Sequence, residues 1–110
     1  MKILLAIGSN PKNWEEEQKK EFDRIEYIKF PIVNPKSDAW DLAKDEVLII
    51  QRWIEDFIKR VEENNETPYI YINGDGLVCY EIFMAYRDDY LRMNFIFPSF
   101  DENGKFVRWR

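Results

Sequence analysis

The sequence predicts an α/β fold, a mainly parallel sheet with helices on both faces and a C-terminal antiparallel hairpin, in the order β-α-β-α-β-α-β-β. Three observations carry that expectation. First, short apolar, β-rich runs alternate with helical patterns along the 110 residues, the arrangement that builds right-handed parallel crossovers. Second, Val47, Ile50, Ile54, Phe57 and Val61 recur at helical spacing with charged residues between them, which marks an amphipathic helix of about five turns. Third, the stretch YIYINGDGLVCYEIF, Tyr69 to Phe83, fits a strand, a glycine-rich turn and a helix. Asn-Gly and Asp-Gly between apolar runs also signal a β-hairpin. A hairpin there would return LVCYEIFMAY as a strand and break the alternation. That run contains no proline or glycine and includes Glu81, Met84 and Ala85, so it suits a helix better.

Taken in order, Ile3 to Ile7 is a compact apolar run closed by GSNP and reads as a buried strand. Asn10 then caps, and Pro11 opens, a short exposed helix in KNWEEEQKKEF. RIEYIKF is β-rich and ends at Pro31. PIVNPKSDAWDLAKDE is the longest irregular stretch, with two prolines, and it precedes the amphipathic helix, which stops at NNETP. PYIYIN is a strand. LVCYEIFMAYRDD is apolar on nearly every face, as a mostly buried helix would be. YLRMNFIF reads as a further strand, and DENGKFVRWR as its hairpin partner with a turn at Asn103-Gly104.

The chain is 45% hydrophobic and 34% charged, which is the composition of a globular domain, here one spanning residues 1–110. Sixteen per cent aromatic is high for this length and means either a core of large rings or rings held for stacking. The net charge of −5 argues against long nucleic acid as a partner, since that needs a broad basic surface. One small anion in a local pocket remains compatible with it. There is no histidine, which removes imidazole acid-base chemistry, Ser-His and Cys-His nucleophiles and histidine metal sites. No metal and no cofactor are expected. Cys79 is the single cysteine and cannot form an internal disulfide, so a reducing cytoplasmic location is the expectation. MKILLAIGSN has too short an apolar run for a signal peptide, and no stretch approaches a membrane span.

In open parallel sheets, ligands bind beyond the carboxyl ends of the strands, where successive connections diverge. The first strand ends in Gly8, Ser9 and Asn10, and the third in Asn73, Gly74, Asp75 and Gly76. Side by side, these loops would offer backbone N–H groups to a phosphate. Each has a plain structural alternative: a tight turn and cap for Gly8 to Asn10, and a turn with Asp75 as N-cap for the second loop. Neither has the spacing of a dinucleotide fingerprint or a Walker loop. Asp75 beside a phosphate is an objection unless it faces a ribose hydroxyl, caps the helix or serves as a base. Lys36, Ser37 and Trp40, in the middle loop, would close over the site as cation, donor and stacking ring, or simply pack on the surface. Tyr80 and Glu81 lie one turn into the following helix, where core packing and solvation explain them better than chemistry does. Cys79 reads as a small hydrophobe rather than a nucleophile.

With LLAIGSN, a charged first helix, a loop carrying a tryptophan, a long second helix and YIYINGDGLVCYEIF, residues 1–97 resemble small stand-alone CARF-like proteins of type III CRISPR antiviral defence, a group that includes ring nucleases. The resemblance implies a Rossmann-like, three-layer CARF-like fold. It also implies a homodimer that binds a cyclic oligoadenylate, cyclic tetra-adenylate foremost, and cleaves it to switch off signalling. Carried over by position, Gly8, Ser9, Asn10, Gly74, Asp75 and Gly76 would be the ligand loops, with Lys36, Trp40, Asn73 and Tyr80 beside them. Catalysis would need no metal. A ribose 2′-hydroxyl held in line attacks its own phosphate, Ser9 and Asn10 orient the phosphate, Lys36 neutralises charge and Asp75 accepts the proton. The terminal KFVRWR and the lack of a basic residue beside either loop depart from the family. Two other functions stay open: a protein that sequesters the messenger without cutting it, and an interaction module, unrelated to nucleotides, using exposed aromatics such as Trp14 and Trp109.

Overall fold

The computed structural model describes residues 1–31, 39–89 and 93–110, with the side chains of 39–43 left aside. Strand β1 (Lys2–Ile7) is the middle of a three-stranded parallel sheet, flanked by β2 (Arg24–Ile28) and β3 (Thr67–Ile72) in the order β2-β1-β3. Ile3 to Ile7 are all fully buried. A central parallel strand is covered on both faces, so a continuous apolar run, rather than alternation, is what such a strand requires.

The register puts Leu5 opposite Ile70 and Ile7 opposite Ile72, so Ile3, Leu5, Ile7, Ile70 and Ile72 share one face. Two helices lie on that face, α2 (Ala39–Glu63) and α3 (Gly76–Ala85). The helical residues that meet the face are Ile50, Ile54, Phe57, Val61, Val78 and Ile82, the first four of them members of the repeat seen in the sequence. Helix α2 is longer than that repeat: it begins at Ala39, so Trp40 belongs to its first turn and not to a loop. It ends where Asn65 takes a left-handed φ of 57°, a conformation asparagine tolerates.

Helix α3 confirms the strand–turn–helix reading of residues 69–83. It is not buried all round, however. Val78 and Ile82 are buried, while Leu77, Tyr80 and Met84 are exposed: among the described residues α3 packs on α2 and, through Phe83, on Phe95 and Phe97, and its remaining side faces outward. Its C-terminal end is tied to α2 by the Tyr86 hydroxyl, which donates to Glu55 Oε1 at 3.2 Å.

The opposite face of the sheet carries Leu4, Ala6, Tyr69 and Tyr71, and its cover differs from the expectation of helices on both sides. The segment expected to form one short helix is split into a 3₁₀ turn at Pro11–Asn13 and α1 (Glu16–Lys19), only four residues long. The remaining cover is the C-terminal hairpin of β4 (Pro98–Phe100) and β5 (Phe106–Trp109). Gly104, at φ 78°, makes its turn, and Asp101 Oδ1 accepts from the N–H groups of Asn103 and Lys105. The hairpin brings Trp109 to 5.3 Å from Tyr71, 5.5 Å from Trp14 and 5.6 Å from Phe22, ring centre to ring centre. Trp109 Nε1 donates to the Gln18 carbonyl at 2.8 Å, and the Phe106 N–H donates to Glu15 Oε2 at 2.7 Å. The aromatic surplus is thus largely a second core. Trp14 and Trp109 are packed against each other and are half-buried instead of standing exposed.

The strand expected over YLRMNFIF is reduced to one parallel bridge between Ile70 and Phe95, with residues 90–92 outside the described set. Asn94 at φ 51° turns the chain, and Pro98, the first residue of β4, has no N–H for a ladder. Among the described residues no helix is long and apolar enough to cross a membrane.

Two buried phenols set an alkaline limit on stability. Burial pushes Tyr86 well above its usual value, and the neighbouring Glu55 carboxylate adds to the shift. Burial raises Tyr71 as well, against a hydrogen bond from Ser9 that lowers it. Both remain protonated in the folded chain when an unfolded tyrosine has begun to ionise near 10.0. Their contribution is therefore complete below about pH 10 and is lost as pH rises further. Urea denaturation across pH 8–12 should show this fall, and Tyr86→Phe should flatten it. An unchanged alkaline limb in that variant would assign the effect elsewhere.

Candidate functional site

In a parallel sheet every strand ends on the same rim, so the rim collects three loops. Gly8–Asn10 follows β1, Lys29 and Phe30 follow β2, and Asn73–Gly76 follows β3. The chain leaves β1 towards the face covered by α1 and leaves β3 towards the face covered by α2 and α3. This divergence is where open α/β sheets hold ligands.

The β1 and β3 loops are in direct contact. Asn73 N–H donates to the Ile7 carbonyl at 2.8 Å, and Gly8 N–H to the Ile28 carbonyl at 2.9 Å. Gly8 has φ 89°, and a Cβ placed on it would overlap the Asn73 carbonyl oxygen and press on the Phe30 ring. A Cβ on Gly74 would run into the same ring. Two glycines thus let Phe30 seat between the loops. Gly76, in contrast, has open space around it; it is there as a helix opener and not from steric need.

The side chains on these loops are largely engaged within the protein. Ser9 Oγ accepts from Trp14 Nε1 at 2.8 Å. Asn10 Oδ1 accepts from Lys12 N–H at 3.0 Å, capping the 3₁₀ turn. Asp75 Oδ1 accepts from the N–H groups of Leu77 at 3.0 Å and Val78 at 3.1 Å, which makes Asp75 the N-cap of α3. Substituting Asp75 by alanine should lower unfolding stability by about 1 kcal/mol, while Asp75→Asn, which keeps an acceptor, should stay within a few tenths of the parent. Chemical denaturation of the two variants checks this.

The backbone supplies the donors. Among the described residues, none accepts from the N–H groups of Ser9, Asn10, Asp75 or Gly76, so four amides from two touching loops are left for an outside acceptor. The Gly74 N–H faces the Cys79 thiol. Burial pushes that thiol up, and the Gly74 hydrogen bond only partly offsets it. Cys79 is therefore a protonated, weakly nucleophilic thiol.

Of the other sequence candidates, Asn73 and Tyr80 are exposed. Tyr80 stands on the outward side of α3. Lys36 and Ser37 lie outside the described residues, as does the Trp40 side chain, so the closing segment cannot be placed over the rim. Asp75 is the acid on these loops. The exposed basic residues nearest in sequence are Lys12, after the β1 loop, and Lys29, directly after β2. No group of residues able to hold a metal ion occurs among the described ones. A groove of about 340 Å³ between α1 and β5, lined by Glu17, Lys20, Glu21, Phe106, Val107 and Arg108, shares no residue with the loops.

Phe30, Trp14 and Tyr71 are the rim residues that sequence reasoning missed. Phe30 was within reach, since it follows a parallel strand and so must arrive at the same rim. The partnership of Trp14 with Ser9 and Tyr71 depends on how the loop folds back, for which the sequence carries no signal. Compared with protein-family models, curated proteins and solved structures, the chain matches none.

Proposed function

We propose that this protein binds a cyclic oligoadenylate, cyclic tetra-adenylate foremost, at the rim formed by Gly8–Asn10 and Asn73–Gly76, and that it acts on this messenger as CARF-like proteins do. The observation that carries the reading is the contact between the two loops at the divergence of β1 and β3, with four amide N–H groups from which no described residue accepts, placed to receive phosphate oxygens. Such donors are pre-positioned by the fold, so little ordering free energy is lost on binding. The overall charge of −5 does not oppose this, because a ring of few phosphates meets local dipoles and not the whole surface.

The strand order β2-β1-β3 and the opposed exits of β1 and β3 are compatible with a small Rossmann-like fold, and that compatibility is what supports the finer reading as a CARF-like domain. In such a domain a second copy completes the ligand site. The stripe of Leu77, Tyr80 and Met84, exposed on α3 and beginning at the rim, is the apolar surface on which that copy would rest. Sedimentation at increasing concentration tests the dimer: a monomer at all concentrations, even with ligand, removes it.

Binding is the better supported activity. Cleavage is a second reading, favoured by one observation: only Oδ1 of Asp75 receives the two capping N–H bonds, which leaves Oδ2 for substrate. In that step the ribose 2′-oxygen bonds to the adjacent phosphorus as the bond from phosphorus to the 5′-oxygen breaks. The 2′ proton passes to Asp75, and the 5′-oxygen takes a proton from water. The products end in a 2′,3′-cyclic phosphate and a 5′-hydroxyl.

Incubation with cyclic tetra-adenylate and cyclic hexa-adenylate, followed by chromatography and by calorimetric titration, decides between the readings. Retention of intact ring supports binding, and linear product supports cleavage. Failure of either ligand to bind removes the nucleotide reading. If product forms, Asp75→Asn separates base from cap: turnover should fall at least a hundredfold with stability unchanged.

A further inference from the structure

Besides the two loops, the end of β2 also reaches the rim. Gly8 N–H donates to the Ile28 carbonyl at 2.9 Å, so Lys29, the next residue after that carbonyl, stands directly beside the β1 loop. On the other side Asn73 N–H donates to the Ile7 carbonyl at 2.8 Å. Lys29, Gly8 and Asn73 thus form one row across the strand ends.

The direction of the Lys29 side chain follows from its neighbours. Ile28 and Phe30 both pack against the core that α2 and α3 cover, so the alternation of the strand continues to residue 30 and turns Lys29 to the opposite face. That is the face towards which the chain leaves β1, and it carries the 3₁₀ turn and α1. Lys29 is exposed there, and among the described residues no carboxylate pairs with it. Lys2, Lys19 and Lys20, by contrast, are paired with Glu21, Glu16 and Glu17. Asp75, the acid of the loops, caps α3 on the other face. The rim is therefore divided, with the Ser9 and Asn10 amides and a cation on one side and a carboxylate on the other. A phosphate is attracted to the first side and repelled from the second.

We infer that Lys29 is the cation of the ligand site: its ammonium and the Ser9 and Asn10 N–H groups together hold one phosphate of the ligand, and the Asp75 side of the rim faces the ligand's ribose hydroxyls. The inference rests on the rim being the ligand site and adds to it the group that neutralises charge, the role for which the sequence suggests Lys36. A lysine binds phosphate as a point charge on a flexible stem, so it needs no fixed partner before the ligand arrives. Its attraction acts through solvent and is screened by salt.

The experiment is a calorimetric titration of cyclic tetra-adenylate into the parent, Lys29→Met, Lys29→Arg and Lys59→Met, at about 0.05 M and about 1 M salt, with a melting temperature for each. Lys29→Met keeps the aliphatic stem and removes the charge. It should melt with the parent and bind about tenfold more weakly at the lower salt. At the higher salt its deficit should shrink to about twofold, because exposed charges are then screened. Lys29→Arg keeps the cation and should bind within about twofold of the parent. Lys59→Met removes the same charge from an exposed position near the C-terminal end of α2, which leads to the start of β3 at the opposite rim. It too should bind within about twofold of the parent. Unchanged binding in Lys29→Met overturns the role of Lys29 while leaving the rim site standing. So does an equal loss in Lys59→Met or Lys29→Arg, or a loss in Lys29→Met that salt leaves unaltered. No binding by the parent overturns both.

Discussion

Substituting Gly8 by alanine should destabilise the protein by about 3–5 kcal/mol and abolish ligand binding at the rim. Two costs combine. The residue would have to hold φ 89°, in a region that carries a penalty of about 1–3 kcal/mol for a residue with a Cβ. Its Cβ would also overlap the Asn73 carbonyl oxygen, and relieving such overpacking costs about 1–3 kcal/mol. The overlap is with backbone and not with a flexible side chain, so the only relief is to part the β1 and β3 loops. A domain of this length holds about 5–15 kcal/mol in all, so the variant should unfold at markedly lower urea but remain folded without denaturant. Gly76→Ala is the internal control. It has open space, and as the first residue of α3 it should be neutral or gain about 0.5 kcal/mol from reduced freedom of the unfolded chain. Equal stability of the two variants would mean that the loops do not touch, and the proposed site would go with that contact.

Truncating Trp109 to alanine should be nearly as damaging, about 3 kcal/mol, although the residue is next to last in the chain. Its ring meets Trp14, Phe22, Tyr71 and Phe106, and its indole N–H satisfies the Gln18 carbonyl. Four aromatic neighbours losing their common partner leave a cavity that a four-residue helix cannot collapse to fill. Because Trp109 is half-buried and not fully buried, the loss is put at the low end of the range for tryptophan. Trp109→Phe keeps the ring contacts and drops the hydrogen bond, for about 1 kcal/mol. Denaturant titration of both variants gives the comparison. A near-terminal residue with no structural role would shift neither midpoint, and that result would show the hairpin to be loosely attached.

Much of the fold was readable from the order of letters. The apolar run of Ile3 to Ile7 implied a strand covered on both faces, and the repeat through Val47 and Val61 implied a helix with one buried stripe. Residues 69–83 resolved into strand, turn and helix once the alternation was weighed against the Asn-Gly signal. Each of these depends on period and propensity within a few residues. The candidate loops were readable for the same reason, since strand ends and helix starts are local events. The failures were of another kind. Helix α3 was expected to be buried because it is apolar, but burial depends on how many neighbours flank it. Trp14 and Trp109 were offered as exposed groups in one reading, yet the contacts that pack them join residues separated by most of the chain, as in the bond from Phe106 to Glu15. Asp75 and Asn10 were weighed as chemical groups and as caps, and their hydrogen bonds show that each of them caps.

By itself, then, the sequence determined the three strands of the parallel sheet, the two longer helices and the C-terminal hairpin turn, and that two small polar loops end up on one rim. These follow from side-chain periodicity and from the fixed direction of parallel strands. Only the tertiary structure decided that the second face of the sheet is closed by a hairpin beside one short helix, that Phe30 wedges between two glycines, and that Ser9 accepts from Trp14. The reason is physical: those contacts form between rings that meet only after the chain has crossed the sheet, and no pattern along the backbone records a packing distance.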